Sequence, residues 1–146
     1  MTRVATITLT SVLLLSAGGC DALLGVLPPR VTSVRLVNNS DFSVSVVIFI
    51  SDEQDIPEDL LTQEDIGTRL DFTLLPGEST SFSRDCDDLQ AIIIDDADLL
   101  VIGQIGPEAR TDVFRDGSDF GCGDTISFTF DHSAFLTDFH ISTSVQ

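Results

Sequence analysis

The stretch from Phe42 to Ile50 alternates without a break, with Phe42, Val44, Val46, Ile48 and Ile50 on one side and Ser43, Ser45, Val47 and Phe49 on the other. A sustained period of two, rich in β-branched side chains, fits a half-buried strand and conflicts with the 3.6-residue period of a helix. The rest of the chain has to supply this strand with partners. Val31 to Val37 places Val34 and Leu36 opposite Arg35, and the turn-forming run Asn38-Asn39-Ser40-Asp41 follows it. Leu70 to Leu75 and Thr80 to Arg84 flank Pro76-Gly77-Glu78, which reads as a turn between antiparallel strands.

Ala91 to Ile94 and Leu99 to Ile102 are almost wholly apolar and are separated by Asp95-Asp96-Ala97-Asp98, the pattern of a hairpin buried on both faces. Thr111 to Phe114 suggests a short strand, Thr125 to Phe130 alternates again, and Phe135 to Ile141 is expected to be the last strand. Ser51 to Arg69 interrupts the series. There Pro57-Glu58-Asp59-Leu60-Leu61 suits one helical turn, giving a short helical insertion around 55–66. Turn signals recur roughly every ten residues, so the expected fold is all-β, an antiparallel β-sandwich of about seven to eight strands. Asn38-Asn39-Ser40, the strand Phe42 to Ile50, the turn Leu75-Pro76-Gly77-Glu78 and Phe82 together resemble the von Hippel–Lindau β-domain family. That resemblance implies a sandwich and transfers no ligand. The family's characteristic aromatic residues have no counterpart, because the chain contains neither Trp nor Tyr.

The first residues carry different information. Arg3 is followed by an apolar run densest at Val12-Leu13-Leu14-Leu15, and small residues Ser16-Ala17-Gly18-Gly19 stand directly before Cys20. A positive start, a short apolar middle and a small-residue exit are the parts of a secretory signal. The run is too short, and too interrupted by Thr and Ser, for a spanning helix of about 20 apolar residues.

Ala17-Gly18-Gly19-Cys20 resembles the bacterial lipoprotein signal, the lipobox, departing from it at Ala17, where the family usually has Leu. The resemblance implies cleavage before Cys20 and diacylglyceryl modification of its thiol. A lipoprotein Cys bears at least two acyl chains, and two or more hold a protein stably on a bilayer. Asp21 fits a rule that in some bacteria favours inner-membrane retention, a rule that leaves both membranes open here. On this reading residues 1–19 are the signal peptide, 20–30 the lipidated Cys with a short tether, and 31–146 the sandwich domain. About ten tether residues, including Pro28 and Pro29, reach at most roughly 35 Å.

Lipidation of Cys20 would leave two of the three cysteines, Cys86 and Cys122. In an exported chain such a pair reads as a disulfide, contributing about 4 kcal/mol through loop-closure entropy. The alternative, a redox or metal site, lacks a Cys-x-x-Cys pair and a nearby His.

Charge narrows the function classes. The 146 residues carry 24 acids against 7 bases, all of them Arg, for a net charge of −17. A nucleic-acid partner is excluded, since binding needs a basic surface to replace counterions. The absence of Lys excludes a lysine nucleophile. With 42% hydrophobic residues the chain is no disordered acidic tail. The two histidines, His132 and His140, lie late in the chain, and no Gly-x-Ser-x-Gly elbow, phosphate loop or dinucleotide fingerprint occurs. Asp131-His132-Ser133 reads as a polar turn rather than a catalytic group, because sequence neighbours on a strand point to opposite faces.

The acids gather in four places: Asp52 to Asp59; Asp85, Asp87 and Asp88; Asp95, Asp96 and Asp98; and Asp116, Asp119 and Asp124. Calcium takes six to eight oxygen ligands. The glycine-rich run Arg115 to Asp124 is the best calcium candidate by sequence, with Asp116, Asp119 and Asp124 as ligands, although it does not follow the EF-hand pattern. The competing reading is that Asp and Gly simply make turns there. Salt or calcium is expected to stabilise so acidic a fold by screening its self-repulsion. The expected function is a membrane-anchored extracytoplasmic lipoprotein without catalytic activity or cofactor. It would act structurally or through an envelope protein partner, using loops or an exposed strand edge. The alternative is a small calcium- or ligand-binding envelope module.

Overall fold

The computed structural model describes residues 30–101, 104–132 and 138–146. Nine strands and one helical turn follow one another: β1 (Val31–Asn38), β2 (Ser43–Ser51), α1 (Glu58–Leu61), β3 (Thr68–Leu74), β4 (Ser79–Asp85), β5 (Ala91–Val101), β6 (Gln104–Ala109), β7 (Phe114–Arg115), β8 (Thr125–Asp131) and β9 (His140–Val145). They form an all-β sandwich. One sheet has the order β4-β1-β8-β9; the other has the order β3-β2-β5-β6, with β7 also pairing β5. Every neighbouring pair is antiparallel except β1 and β8.

Alternation decides what lies between the sheets. Val44, Val46, Ile48 and Ile50 of β2 pack against Val34 and Leu36 of β1 and Ile126, Phe128 and Phe130 of β8 in one continuous core. A second, smaller cluster lies on the outer face of the β3-β2-β5-β6 sheet, where Phe49, Ala91 and Ile93 are covered by Ile56 and Leu61 of the insertion around α1. Burial on both faces explains why Ala91 to Ile94 is uniformly apolar.

The two sides of the sandwich close differently. Along one side Phe72 of β3 and Phe82 of β4 stack across the gap with ring centroids 5.7 Å apart. The guanidinium of Arg84 lies 5.5 Å from the centre of the Phe82 ring. Along the other, between β9 and the β6–β7 edge, a cleft of about 420 Å³ remains, lined by Phe114, Ile141, Thr143, Thr111 and the charged groups Glu58, Arg110 and Asp112.

Four expectations need correction. Asp95 to Asp98 is no turn, because β5 runs through it as one strand. Ile92 and Ile94 point into the main core, as do Ala97 and Leu99, so the inward parity shifts by one between them. The register against β2 slips at that point, with Val47 opposite Asp96 and Ile48 opposite Ile94, which leaves Asp95 as the extra residue. This bulge sends Asp96 and Asp98 to the outer face; unbroken alternation would have buried Asp96 in the core.

The turn Pro76-Gly77-Glu78 likewise joins strands of different sheets: β3 pairs β2, whereas β4 pairs β1. It is a corner between layers, with Gly77 at φ 72° and Glu78 N–H donating to Leu75 O at 2.9 Å. A strand that sequence reasoning did not identify, β6, contains Gly106 and Pro107, residues that normally mark loops. An edge position tolerates the proline. Gly106 lies so close to β5 that an added Cβ would stand 2.4 Å from Leu99 O. Finally, the last strand is His140–Val145 rather than Phe135 to Ile141; residues 133–137 lie outside the described ones.

Candidate functional site

Cys20 lies outside the described residues. Cys86 and Cys122 are joined as a disulfide with Cα atoms 5.3 Å apart. The bond ties the residue after β4 to the loop that precedes β8.

In that loop the acids proposed as calcium ligands make the turns themselves. One Asp119 carboxylate oxygen accepts from Arg115 N–H at 2.8 Å and from the Ser118 hydroxyl at 3.1 Å, and one Asp124 oxygen accepts from Gly121 N–H at 2.7 Å. Asp116 contributes backbone, its N–H donating to Gln90 O and its carbonyl accepting from the Gln54 amide. The Arg115 guanidinium donates to Gln54 O and Ile56 O, fastening the loop to the insertion. Asp116, Asp119 and Asp124 do not form a convergent set. Among the described residues the set of three metal-capable carboxylates within 4.8 Å of one another is Asp96, Asp98 and Glu108.

That set is a product of sheet register. The bulge turns Asp96 and Asp98 outward on the same strand, opposite Val47 and Ser45 of β2, and the pairing of β5 with β6 puts Glu108 directly across from Asp98. Sequence reasoning singled out Asp96 and Asp98 as an acidic group but treated them as a turn. Glu108 was missed because β6 was missed, the Gly106-Pro107 pair in its middle having the composition of a loop.

The electrostatics are unfavourable without a counter-charge. Asp96 Oδ1 is buried and has no hydrogen-bond partner. Burial raises the Asp96 pKa above its ordinary value, and the charges of Asp98 and Asp95 raise it further, while Arg69 opposes them. Burial, followed by the Glu108 charge, raises Asp98 in the same direction. The nearby cations are engaged elsewhere. Arg69 pairs with Glu64 at 2.7 Å and Asp71 at 2.9 Å, and Arg110 pairs with Glu58 and approaches Asp95 at 3.9 Å. Both arginines thereby strap the α1 insertion to the sheet.

A raised folded-state pKa makes the native protein bind protons that the unfolded chain has released. The stability from Asp96 and Asp98 is therefore fully present below the ordinary aspartate value of 3.8 and lost as pH rises through their raised values. Opposed like charges on neighbouring strands cost about 0.2–1 kcal/mol. Asp98→Asn is accordingly expected to stabilise the protein by roughly 0.5–1 kcal/mol at pH 7 in chelator. The gain should vanish below pH 3.8, as read by urea denaturation at both pH values.

Neither histidine lines the cleft between β9 and the β6–β7 edge. His132 Nε2 accepts from Asp41 N–H at 3.1 Å and its ring packs against Phe42 at 5.6 Å. His140 is exposed on β9, with Nδ1 2.9 Å from Asp138 O. Among the described residues no helix is long and apolar enough to cross a membrane.

No protein-family model matches the chain, and no curated protein matches it. Solved structures similar to it include the T6SS lipoprotein TssJ1 from Pseudomonas aeruginosa, at 14% identity and a TM-score of 0.43, covering 82% of this chain and 98% of that one. A protein from Eubacterium rectale matches at 15% identity and a TM-score of 0.43, covering 77% of this chain and 87% of the other. The membrane-binding domain of pneumolysin matches at 7% identity and a TM-score of 0.47, covering 80% of this chain and 98% of the domain.

Proposed function

We propose that the chain is a lipid-anchored extracytoplasmic protein whose sandwich serves as a non-catalytic structural or interaction module at the cell envelope. The carrying observation is the fate of the sulfurs. Cys86 and Cys122 are joined to each other. That leaves Cys20, behind a short apolar run and Ala17-Gly18-Gly19, as the remaining thiol and the acyl acceptor of a lipobox-like signal. A disulfide also fits an oxidising compartment. The reading is non-catalytic because neither histidine lines the cleft: His132 Nε2 accepts from Asp41 N–H and lies 3.7 Å from the Asp41 carboxylate, and His140 Nδ1 lies 2.9 Å from Asp138 O.

Intact-mass analysis of protein from its host is expected to find a chain beginning at Cys20 and carrying acyl groups, with Cys20→Ser left unprocessed. An unmodified chain with Met1 retained would overturn the reading.

A second reading, a calcium-binding module, is favoured by carboxylate oxygens of Asp96, Asp98 and Glu108 lying within 4.8 Å of one another, together with the buried, unpartnered Asp96 Oδ1. Carboxylate oxygens are the ligands calcium prefers, and extracellular modules bind it at about 10⁻⁴–10⁻³ M. Calcium should then raise the melting temperature more than magnesium at matched ionic strength, with the difference lost in Asp98→Asn. Equal shifts for the two ions would leave only charge screening.

A further inference from the structure

The open side of the sandwich joins a free strand edge to a charged cleft. Edges are normally protected from pairing by charges, proline or bulges. β3 carries Arg69 and Asp71, β4 carries Arg84 and Asp85, and β6 carries Pro107 and Glu108. β9 reads His-Ile-Ser-Thr-Ser-Val, with no acid, arginine or proline. Its hydrogen-bonding phase is fixed by the reciprocal bonds between Thr125 and Gln146, at 2.8 and 3.1 Å. Alternation along an antiparallel ladder then aims the N–H and C=O groups of Ile141, Thr143 and Val145 away from β8. Among the described residues no strand pairs with that outward row.

The side chains on this row face the cleft. Ile141 and Thr143 stand opposite Phe130 and Phe128, which point into the core, and both line the cleft of about 420 Å³. Residues paired across a ladder share a face of the sheet. A strand added to β9 would therefore send every second side chain toward the cleft, past the apolar wall of Phe114 and Ile141.

The charge of the cleft selects what can enter. Arg110 is engaged by Glu58 and approaches Asp95 at 3.9 Å. Asp112 is exposed, and its carboxylate makes no hydrogen bond or ion pair with any described residue. Glu58, Arg110 and Asp112 together leave the cleft negative. On the outer face Asp131 stands opposite His140, at one end of the same edge. A second copy, with its own charge of −17, meets repulsion here, whereas a cationic segment is drawn in.

We propose that the β9 edge and the adjoining cleft form one docking site for an extended basic segment of a partner protein. The segment adds antiparallel to β9, the pairing that is more stable per residue, and bonds the free backbone groups of Ile141, Thr143 and Val145. Its alternate arginine or lysine side chains lay their aliphatic stems along Ile141 and Phe114 and bring their charged ends to Asp112.

This site deepens the interaction role proposed above and rests on it, but not on the anchor, which mass analysis reads separately. The probe is the peptide acetyl-Ser-Arg-Thr-Val-Thr-Arg-Ser-amide, added to the full-length chain in detergent at low salt, with the central Val placed opposite Thr143. Amide hydrogen exchange is expected to show Ile141, Thr143 and Val145 unprotected in the chain alone and slowed when the peptide is bound. N-methylation of the central Val should abolish binding, because that N–H faces β9, and N-methylation of either Thr should leave it intact. Replacing both arginines of the peptide by glutamate should abolish binding too. Asp112→Asn should weaken it several-fold, while Asp87→Asn, beside β4 at the far edge of the same sheet, should leave it unchanged. Protection of the three amides before peptide is added, whether by a second copy or by the chain itself, would overturn the proposal. So would no binding, or binding indifferent to N-methylation or to Asp112→Asn, the mark of general attraction to an acidic surface.

Discussion

Replacing both cysteines of the bridge, as Cys86→Ser with Cys122→Ser, is expected to lower the unfolding free energy by about 4 kcal/mol. The two residues are 36 positions apart in sequence, and the bond removes the corresponding loop freedom from the unfolded chain. The position matters as much as the loop length. β1 is flanked by β4 on one side and β8 on the other, and the bridge joins the end of β4 to the loop leading into β8. It therefore holds both neighbours of β1 at the end where the chain enters the sheet.

The loop on the Cys122 side has little apolar packing of its own beyond Phe120, and relies on Arg115, Asp119 and Asp124 for its shape. Against a typical stability of about 5–15 kcal/mol, a loss of this size is severe for a chain already strained by its acidity. Urea denaturation of the double serine variant beside wild type, with and without reductant, measures it. Reductant should bring wild type to the level of the variant and leave the variant unchanged. A difference under about 1 kcal/mol would show that the unfolded chain gains little freedom from the cut.

What sequence made legible follows a physical line. Where one face of a strand is buried and the other wet, as in β2 and β8, alternation reports the strand, its extent and its inward residues. Where a third layer covers the outer face, the signal saturates. Ala91 to Ile94 is apolar on both sides, and a run of acids after it resembled a turn, because the bulge at Asp95 that reverses the parity leaves no mark in composition. The acidic set was divided for the same reason. Asp96 and Asp98 are neighbours in sequence, but Glu108 joins them only through the pairing of β5 with β6. The Pro-Gly corner shows a related gap: local residues specify the bend, while long-range pairing decides whether the bend stays within a sheet or crosses between sheets. In the loop around Asp116 to Asp124 the carboxylates of Asp119 and Asp124 cap backbone N–H groups, the commoner use of Asp beside Gly.

The crossing between sheets also places the largest polar commitment in the core, at Asn38. Its side chain is fully buried. The amide nitrogen lies 2.8 Å from Phe42 O, 3.1 Å from Leu74 O and 3.0 Å from Leu75 O, while the amide oxygen accepts from Ser40 N–H at 3.0 Å and the Ser40 hydroxyl at 2.6 Å. The backbone adds two bonds, Asn38 N–H to Glu78 O and Gly77 N–H to Asn38 O, both at 2.9 Å. One residue thus joins the two corners, β1 to β2 and β3 to β4, at which the chain passes from sheet to sheet.

Asn38→Ala leaves several buried groups unsatisfied, each costing about 1–3 kcal/mol, and is expected to destabilise the fold by roughly 4 kcal/mol in total. Asn38→Asp keeps the shape and tests the chemistry. It replaces the donor that faces three carbonyl oxygens with another oxygen, and a buried carboxylate there faces only acceptors on that side. Its pKa must therefore rise in the folded state, so the variant should be weakest at neutral pH and recover partly as acid protonates the carboxyl and restores one donor. Urea denaturation of the Ala and Asp variants at pH 7 and pH 5 separates packing from hydrogen bonding. The Asp variant should gain on wild type at the lower pH and the Ala variant should not. A pH-independent loss in Asn38→Asp would mean that the corner opens and lets water reach the side chain.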